Sequence, residues 1–300
     1  MIFEFIKALF LGIIEGITEW LPISSTGHLI LFDEFFPLTL GKDIHPDFPS
    51  EFMSMFEVVI QMGAIMAVVV LFWNKLWPFS LKKSPAERKS VWQTWFKVCF
   101  ASVPAAIVGI VLDKIIEKVS GKDIDGWLYN GTTVALMLIV YGVLFIIIEK
   151  KNANKSPKIT EISQISYKYA FIMGIFQMLA IIPGTSRSGA IILGAILIGF
   201  SRTCGADFAF FMGIPAMVGG SVIKALGFLK FINGENSYGM ELSMPFEAWL
   251  ILIFATIVAF SVSMVAIKFL MNFVKKRSFA PFGVYRIILG VVVLIYFIVN

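Results

Sequence analysis

"EGITEWLPISSTGHL", residues 15–29, sets Glu15, Glu19, Ser24, Ser25, Thr26 and His28 inside a run otherwise apolar enough for a membrane. Pro22 and Gly27 interrupt the helix that the flanking residues favour, since proline lacks a backbone donor and glycine loosens the chain. "IPGTSRSG", residues 182–189, breaks the apolar stretch 167–200 as the first motif breaks 2–36. Each stretch therefore reads as two short half-helices. Irregular backbone at membrane depth survives only where protein or a watery cavity covers it, so both are expected to be re-entrant hairpins.

The rest of the chain supports a membrane setting. Its 300 residues are 58% hydrophobic with a mean hydropathy of +0.86, outside the range of a soluble domain. Six segments, near 54–73, 94–112, 128–148, 206–229, 247–271 and 283–299, are long enough to cross about 30 Å of hydrocarbon. The expected fold is an all-α polytopic membrane protein, six transmembrane helices plus two hairpins in one integral-membrane domain, 1–300. The pI near 9.1 does not indicate nucleic acid, because the Lys and Arg lie in short loops between spans. Cys99 and Cys204 lie in or beside apolar runs and suggest neither a disulfide framework nor a zinc site. Glu4 and Lys7 interrupt the N-terminus, which does not read as a cleaved signal peptide.

Loop charge sets an expected orientation. Loops 74–93, 149–168 and 272–282, with Arg202, carry fourteen basic residues, against five in loops 32–53, 113–127 and 230–246. The first set is expected in the cytoplasm, with both termini outside provided both hairpins re-enter.

Sliding the chain on itself by 162 residues aligns the two broken stretches: Gly12 meets Gly174, Glu15 meets Gln177, Ser24 meets Ser186, Ser25 meets Arg187 and Gly27 meets Gly189. Past the hairpins the offset falls to 150, where "MGAIMAVV" (62–69) matches "MGIPAMVG" (212–219). The halves, about 1–150 and about 165–300, are expected to run in opposite directions. Such an inverted repeat places its site near the midplane, where the two hairpin tips would meet.

Glu15 and Glu19 are one helical turn apart, so they share a face and repel unless a proton or a cation sits between them. Hard cations such as Mg2+ or Ca2+ take carboxylate oxygens and bridge to phosphate. Glu57 and Gln61, with the same spacing, open the next span and could line the same cavity. "SSTGH" offers the hydroxyls of Ser24, Ser25 and Thr26 beside His28, an acid or base near neutral pH. "PGTSRSG" reads as an anion cradle: Gly184 and Thr185 lead into Ser186, Arg187 and Ser188, whose hydroxyls and planar fork suit phosphate oxygens. His45, in a polar loop, gets no role; Lys224 and Arg286 lie near span ends and are expected to snorkel. Together these groups suit phosphoryl transfer from a membrane-embedded phosphate ester.

At this point "LGIIEGITEWLPISSTGHLIL" (11–31), "FEVVIQMGAIMAVVV" (56–70) and "PGTSRSGAIILGAILIGFSR" (183–202) resemble the undecaprenyl-diphosphatase, or bacitracin resistance, family over the whole chain. The resemblance implies hydrolysis of undecaprenyl diphosphate to undecaprenyl phosphate and inorganic phosphate, which recycles the cell-wall carrier lipid. It implies a divalent-metal-dependent enzyme of the bacterial plasma membrane, with its site open to the extracytoplasmic side. It implies that Glu15 and Glu19 serve metal and catalysis, that Ser25 is the favoured nucleophile beside His28, and that Arg187, flanked by Ser186 and Ser188, binds diphosphate. Ile191 stands where the family often has threonine, and loop 32–53 looks like an insertion. Attack by Ser25 and direct attack by water activated by His28 both stay open, and so does a homodimer. The rival reading is a flippase of prenyl phosphate lipid, because inverted repeats with broken helices are also transporter architecture. A soluble-type acid phosphatase, suggested by "STGH", lacks its later arginine–histidine motif here.

Overall fold

The computed structural model describes residues 1–121, 126, 128, 130–234, 236, 239 and 241–299. Lys122 and part of the start of the expected span 128–148 lie outside the described residues. In chain order the helices are α1 (Ile2–Thr18), α2 (Ser25–Phe35), α3 (Phe48–Leu71), the one-turn α4 (Trp73–Leu76), α5 (Pro85–Ser120) and α6 (Gly131–Asn152). They continue as α7 (Tyr167–Met178), α8 (Arg187–Leu197), α9 (Arg202–Ile232), α10 (Phe246–Val274) and α11 (Ala280–Val299). Among the described residues, α3, α5, α6, α9, α10 and α11 are the six helices long and apolar enough to cross a membrane. All six coincide with the spans expected from sequence. The chain is a multi-pass, all-α membrane protein.

The helix starts are chemically marked. Asn130 Oδ1 accepts Thr133 N at 2.8 Å, and Ser84 and Glu87 close a reciprocal capping box ahead of Pro85. Side-chain oxygens that accept first-turn amides satisfy donors with no partner inside the helix.

Both broken stretches double back. Lys7, near the start of α1, donates to Pro37 O beyond the end of α2 at 2.6 Å. Tyr169, near the start of α7, packs edge-on against Phe200 beyond the end of α8. Each pair of half-helices thus brings its ends together and projects a tip, a geometry compatible with re-entry.

Packing exchanges the two halves: α1 lies on α10 and α7 on α5, while α3 packs on α9 and α6 on α11. Gly12 of α1 lies so close to α10 that a Cβ would stand 2.7 Å from Ala255 O. Its sequence mate Gly174 lies tighter still on α5, where a Cβ would meet Ala101 O. Reciprocal contacts at matched positions are compatible with an inverted repeat.

One minor residue departs from expectation: Arg286 does not snorkel but is fully buried among the helices. His45 is buried too, its Nδ1 accepting Asp47 N at 3.1 Å, because loop 37–47 folds back over Phe48 and Phe231.

Candidate active site

The two tips are built alike. Ser24 caps α2 at φ +76° and Ser186 caps α8 at φ +70°, left-handed values that serine seldom adopts. Their hydroxyls accept Gly27 N at 3.3 Å and Gly189 N at 3.2 Å. Residues held there cost on the order of 1–3 kcal/mol each, and such strain gathers at functional sites. The turn puts Ser25 and Arg187, the aligned pair, at the first position of their helices.

Glu19, in the turn after α1, joins the tips. Its Oε1 accepts Arg187 Nη2 at 2.6 Å, its Oε2 accepts Ser25 Oγ at 2.5 Å, and its main-chain oxygen accepts Ser188 Oγ at 3.1 Å. One carboxylate therefore touches the guanidinium of one tip and the hydroxyl of the other. Arg187 retains Nε and Nη1, both buried and without a protein partner. Its guanidinium rests on α9 where Gly213 leaves room, since a Cβ there would stand 2.6 Å from Nη1.

A cavity of about 180 Å³ opens over these groups, lined by Glu19, Ser25, Thr26, Gln61, Ser186 and Arg187 with Gly184. Most of the expected site residues thus converge. Ser24 and Ser188 serve the turns behind the cavity, and Thr185 is fully buried beneath it.

His28 faces away from the cavity. Its Nδ1 lies 2.7 Å from Ser24 O, which can only accept, so this nitrogen carries the proton in the neutral ring. Nε2 is left to accept from Tyr285 Oη at 2.7 Å, the two rings lying parallel. Both nitrogens are engaged away from Ser25, whose hydroxyl donates to Glu19 instead. Tyr285 was missed from sequence, and nothing local marks it, because its partner is 257 residues distant.

Glu15 is fully buried behind the cavity, and neither carboxylate oxygen has a hydrogen-bond partner. Glu19 and Glu57 are the like charges it feels and Arg187 the opposite one. Among the described residues no group of three or more His, Cys, Asp or Glu side chains could enclose a metal ion. An orphaned carboxylate beside a second one still fits a hard cation that takes its other ligands from water and phosphate, as Mg2+ commonly does.

The family model for bacitracin resistance protein BacA matches residues 8–292. The chain belongs to the BacA family. Similar relatives include the undecaprenyl-diphosphatases of Enterococcus faecalis, 53% identical and covering 97% of each chain, and of Acetivibrio thermocellus, 50% identical over 98% of each. That of Streptococcus thermophilus is 48% identical over 98% of this chain and 94% of the relative. Within this BacA-family chain the matches span both tips, so the Glu19–Arg187 contact lies wholly inside the shared region.

Proposed function

We infer that the chain is a prenyl-diphosphate phosphatase that converts undecaprenyl diphosphate to undecaprenyl phosphate and inorganic phosphate. The observation that carries this reading is the single Glu19 carboxylate shared between Arg187 and Ser25 at the meeting of the tips. The relatives' shared name supplies the substrate. The cavity has room for a small headgroup and none for a long prenyl tail, which would stay in lipid between the helices.

In this mechanism Arg187 turns its free Nε and Nη1 to the phosphate oxygens, a planar fork suited to such groups. Ser186 and Thr26 line the same cavity and donate hydroxyls. Ser25 Oγ attacks the terminal phosphorus, its proton passing to Glu19 Oε2. The new bond is Oγ–P; the bond that breaks joins that phosphorus to the bridging oxygen, which leaves on prenyl phosphate. Glu19 hands that proton to the departing prenyl phosphate. Water then attacks the phosphoserine phosphorus and gives one proton to Glu19, which returns it to Ser25 Oγ as the Oγ–P bond breaks and inorganic phosphate departs. His28 positions the first tip through Ser24 and does not serve as the base for Ser25. Glu15, with Glu19, would hold a divalent cation, which supplies neutralisation of phosphate charge. The family resemblance implies a bacterial plasma-membrane protein with the site open to the extracytoplasmic side, an orientation with which the basic loops, expected in the cytoplasm, agree.

Purified chain in detergent, given a C55 prenyl diphosphate, is expected to release phosphate, and chelator is expected to stop it reversibly. A flippase would need two membrane faces to show activity. Absence of phosphate release from folded protein supplied with Mg2+ or Ca2+ would overturn the reading.

A further inference from the structure

Arg286 lies in α11, within an apolar run, and is fully buried without an ion-pair partner among the described residues. A bare guanidinium at that depth is costly unless its donors find acceptors. Those of the two terminal nitrogens go to main-chain carbonyls, while the buried Nε has no partner. Nη1 donates to Pro22 O at 3.1 Å; Nη2 donates to Gly184 O at 2.7 Å and Thr185 O at 3.0 Å, with Met137 O of α6 more distant at 3.4 Å. The Tyr141 ring of α6 lies beneath the group at 5.5 Å.

Pro22 belongs to the first tip and Gly184 to the second, and the offset of 162 that aligns the tips pairs Pro22 with Gly184. One guanidinium therefore holds equivalent carbonyls of both tips. Each carbonyl immediately precedes the strained turn that presents the reacting side chain: Pro22 leads to Ser24 and Ser25, Gly184 to Ser186 and Arg187. Arg286 does not line the cavity, whose wall at that point is Gly184 and Pro183.

We propose that Arg286 is a positioning residue that clamps the two tips at the separation where Ser25 and Arg187 can engage one phosphate. The Glu19–Arg187 ion pair ties the tips on the cavity side, but a substrate phosphate competes for that guanidinium. Arg286 ties them from behind, where substrate does not reach, so tip spacing persists while Arg187 changes partner. The clamp needs two donors in a fixed plane. A lysine ammonium is a point donor on a flexible stem and cannot reproduce that fork.

This inference rests on the phosphatase reading. Its test compares detergent-purified wild type, Arg286→Lys and Arg286→Gln by steady-state phosphate release from C55 prenyl diphosphate, with thermal melting of each. Misplacing reacting groups by about 1 Å costs about 10²-fold, so kcat is expected to fall by about that factor in Arg286→Lys. KM is expected to stay within about threefold, because the cavity side chains remain. Melting is expected to stay close to wild type for Arg286→Lys and to fall for Arg286→Gln. An inactive wild type would sink the phosphatase reading itself. An active wild type with kcat unchanged in folded Arg286→Lys would overturn the clamp alone. So would a rise in KM at constant kcat, which marks a binding residue, or a failure of both variants to fold, which marks a purely structural one.

Discussion

Arg187 Nη2 lies 2.6 Å from Glu19 Oε1, joining two hairpin tips whose residues stand 168 apart in the chain. The same carboxylate receives the Ser25 hydroxyl, so substitution at Glu19 acts on both partners. Glu19→Gln keeps the shape and can still accept from one of them, but it is a far weaker proton acceptor. General-base assistance contributes about 10²–10⁴-fold, and kcat is expected to fall within that range. Steady-state kinetics on Glu19→Gln check this; a loss smaller than tenfold would remove Glu19 as the base for Ser25.

Gly213→Ala tests the seat of Arg187 without touching a polar group. The added Cβ would stand 2.6 Å from Nη1, so the guanidinium has to move. Activity is expected to fall about tenfold or more, since small misplacements of positioning groups are costly in rate. Melting of the purified variant separates this from unfolding, because alanine itself suits the interior of α9.

His28 and Tyr285 are expected to behave as one unit, because each engages the other's polar atom at 2.7 Å. Contacting residues are non-additive, with couplings of about 0.5–3 kcal/mol. In a double-mutant cycle on phosphate release, His28→Gln combined with Tyr285→Phe is expected to lose little more than the worse single variant. Additive losses would mean that His28 acts directly on the reacting atoms.

These three cases mark what the chain discloses before it folds. The six spans were legible because hydrophobic length is local, and both breaks were legible because Pro22, Pro183 and Gly184 stand among hydroxyl and charged residues inside otherwise apolar runs. The convergence of Ser25 and Arg187 was legible through the repeat. Contacts across the bundle were not. Arg286 looks like any basic residue within reach of a span end, and burial on the tip carbonyls follows from α11 packing along α6, which no local pattern encodes. His28 beside three hydroxyls suggests a base for serine, but the Ser24 turn aims its ring at Tyr285.

Ser24 and Ser186 make opposing demands on a substitute. Alanine loses the cap and keeps the positive φ; glycine loses the cap but adopts that backbone freely. At both positions the melting order is expected to be serine, then glycine, then alanine, with the glycine–alanine gap about 1 kcal/mol or more. Chemical denaturation or thermal melting in detergent reads this. Alanine more stable than glycine at either position would show that the turn relaxes instead of holding strain.

Glu15 separates cation binding from ordinary burial. Its two oxygens have no protein partner at full burial, a state that costs stability when the group is charged. In chelator, Glu15→Gln replaces the unpartnered buried acid at nearly constant shape, so the variant is expected to melt as high as wild type or higher. With Mg2+ or Ca2+ added, wild type is expected to gain stability by mass action while Glu15→Gln gains little. Half-activation of phosphate release is expected to need about tenfold more cation in the variant, the loss of one charged ligand being worth about 1.4 kcal/mol or more. The two readouts must move together. If Glu15→Gln melts as high as wild type or higher in chelator but its cation requirement is unchanged, Glu15 is a buried acid with no part in holding the metal.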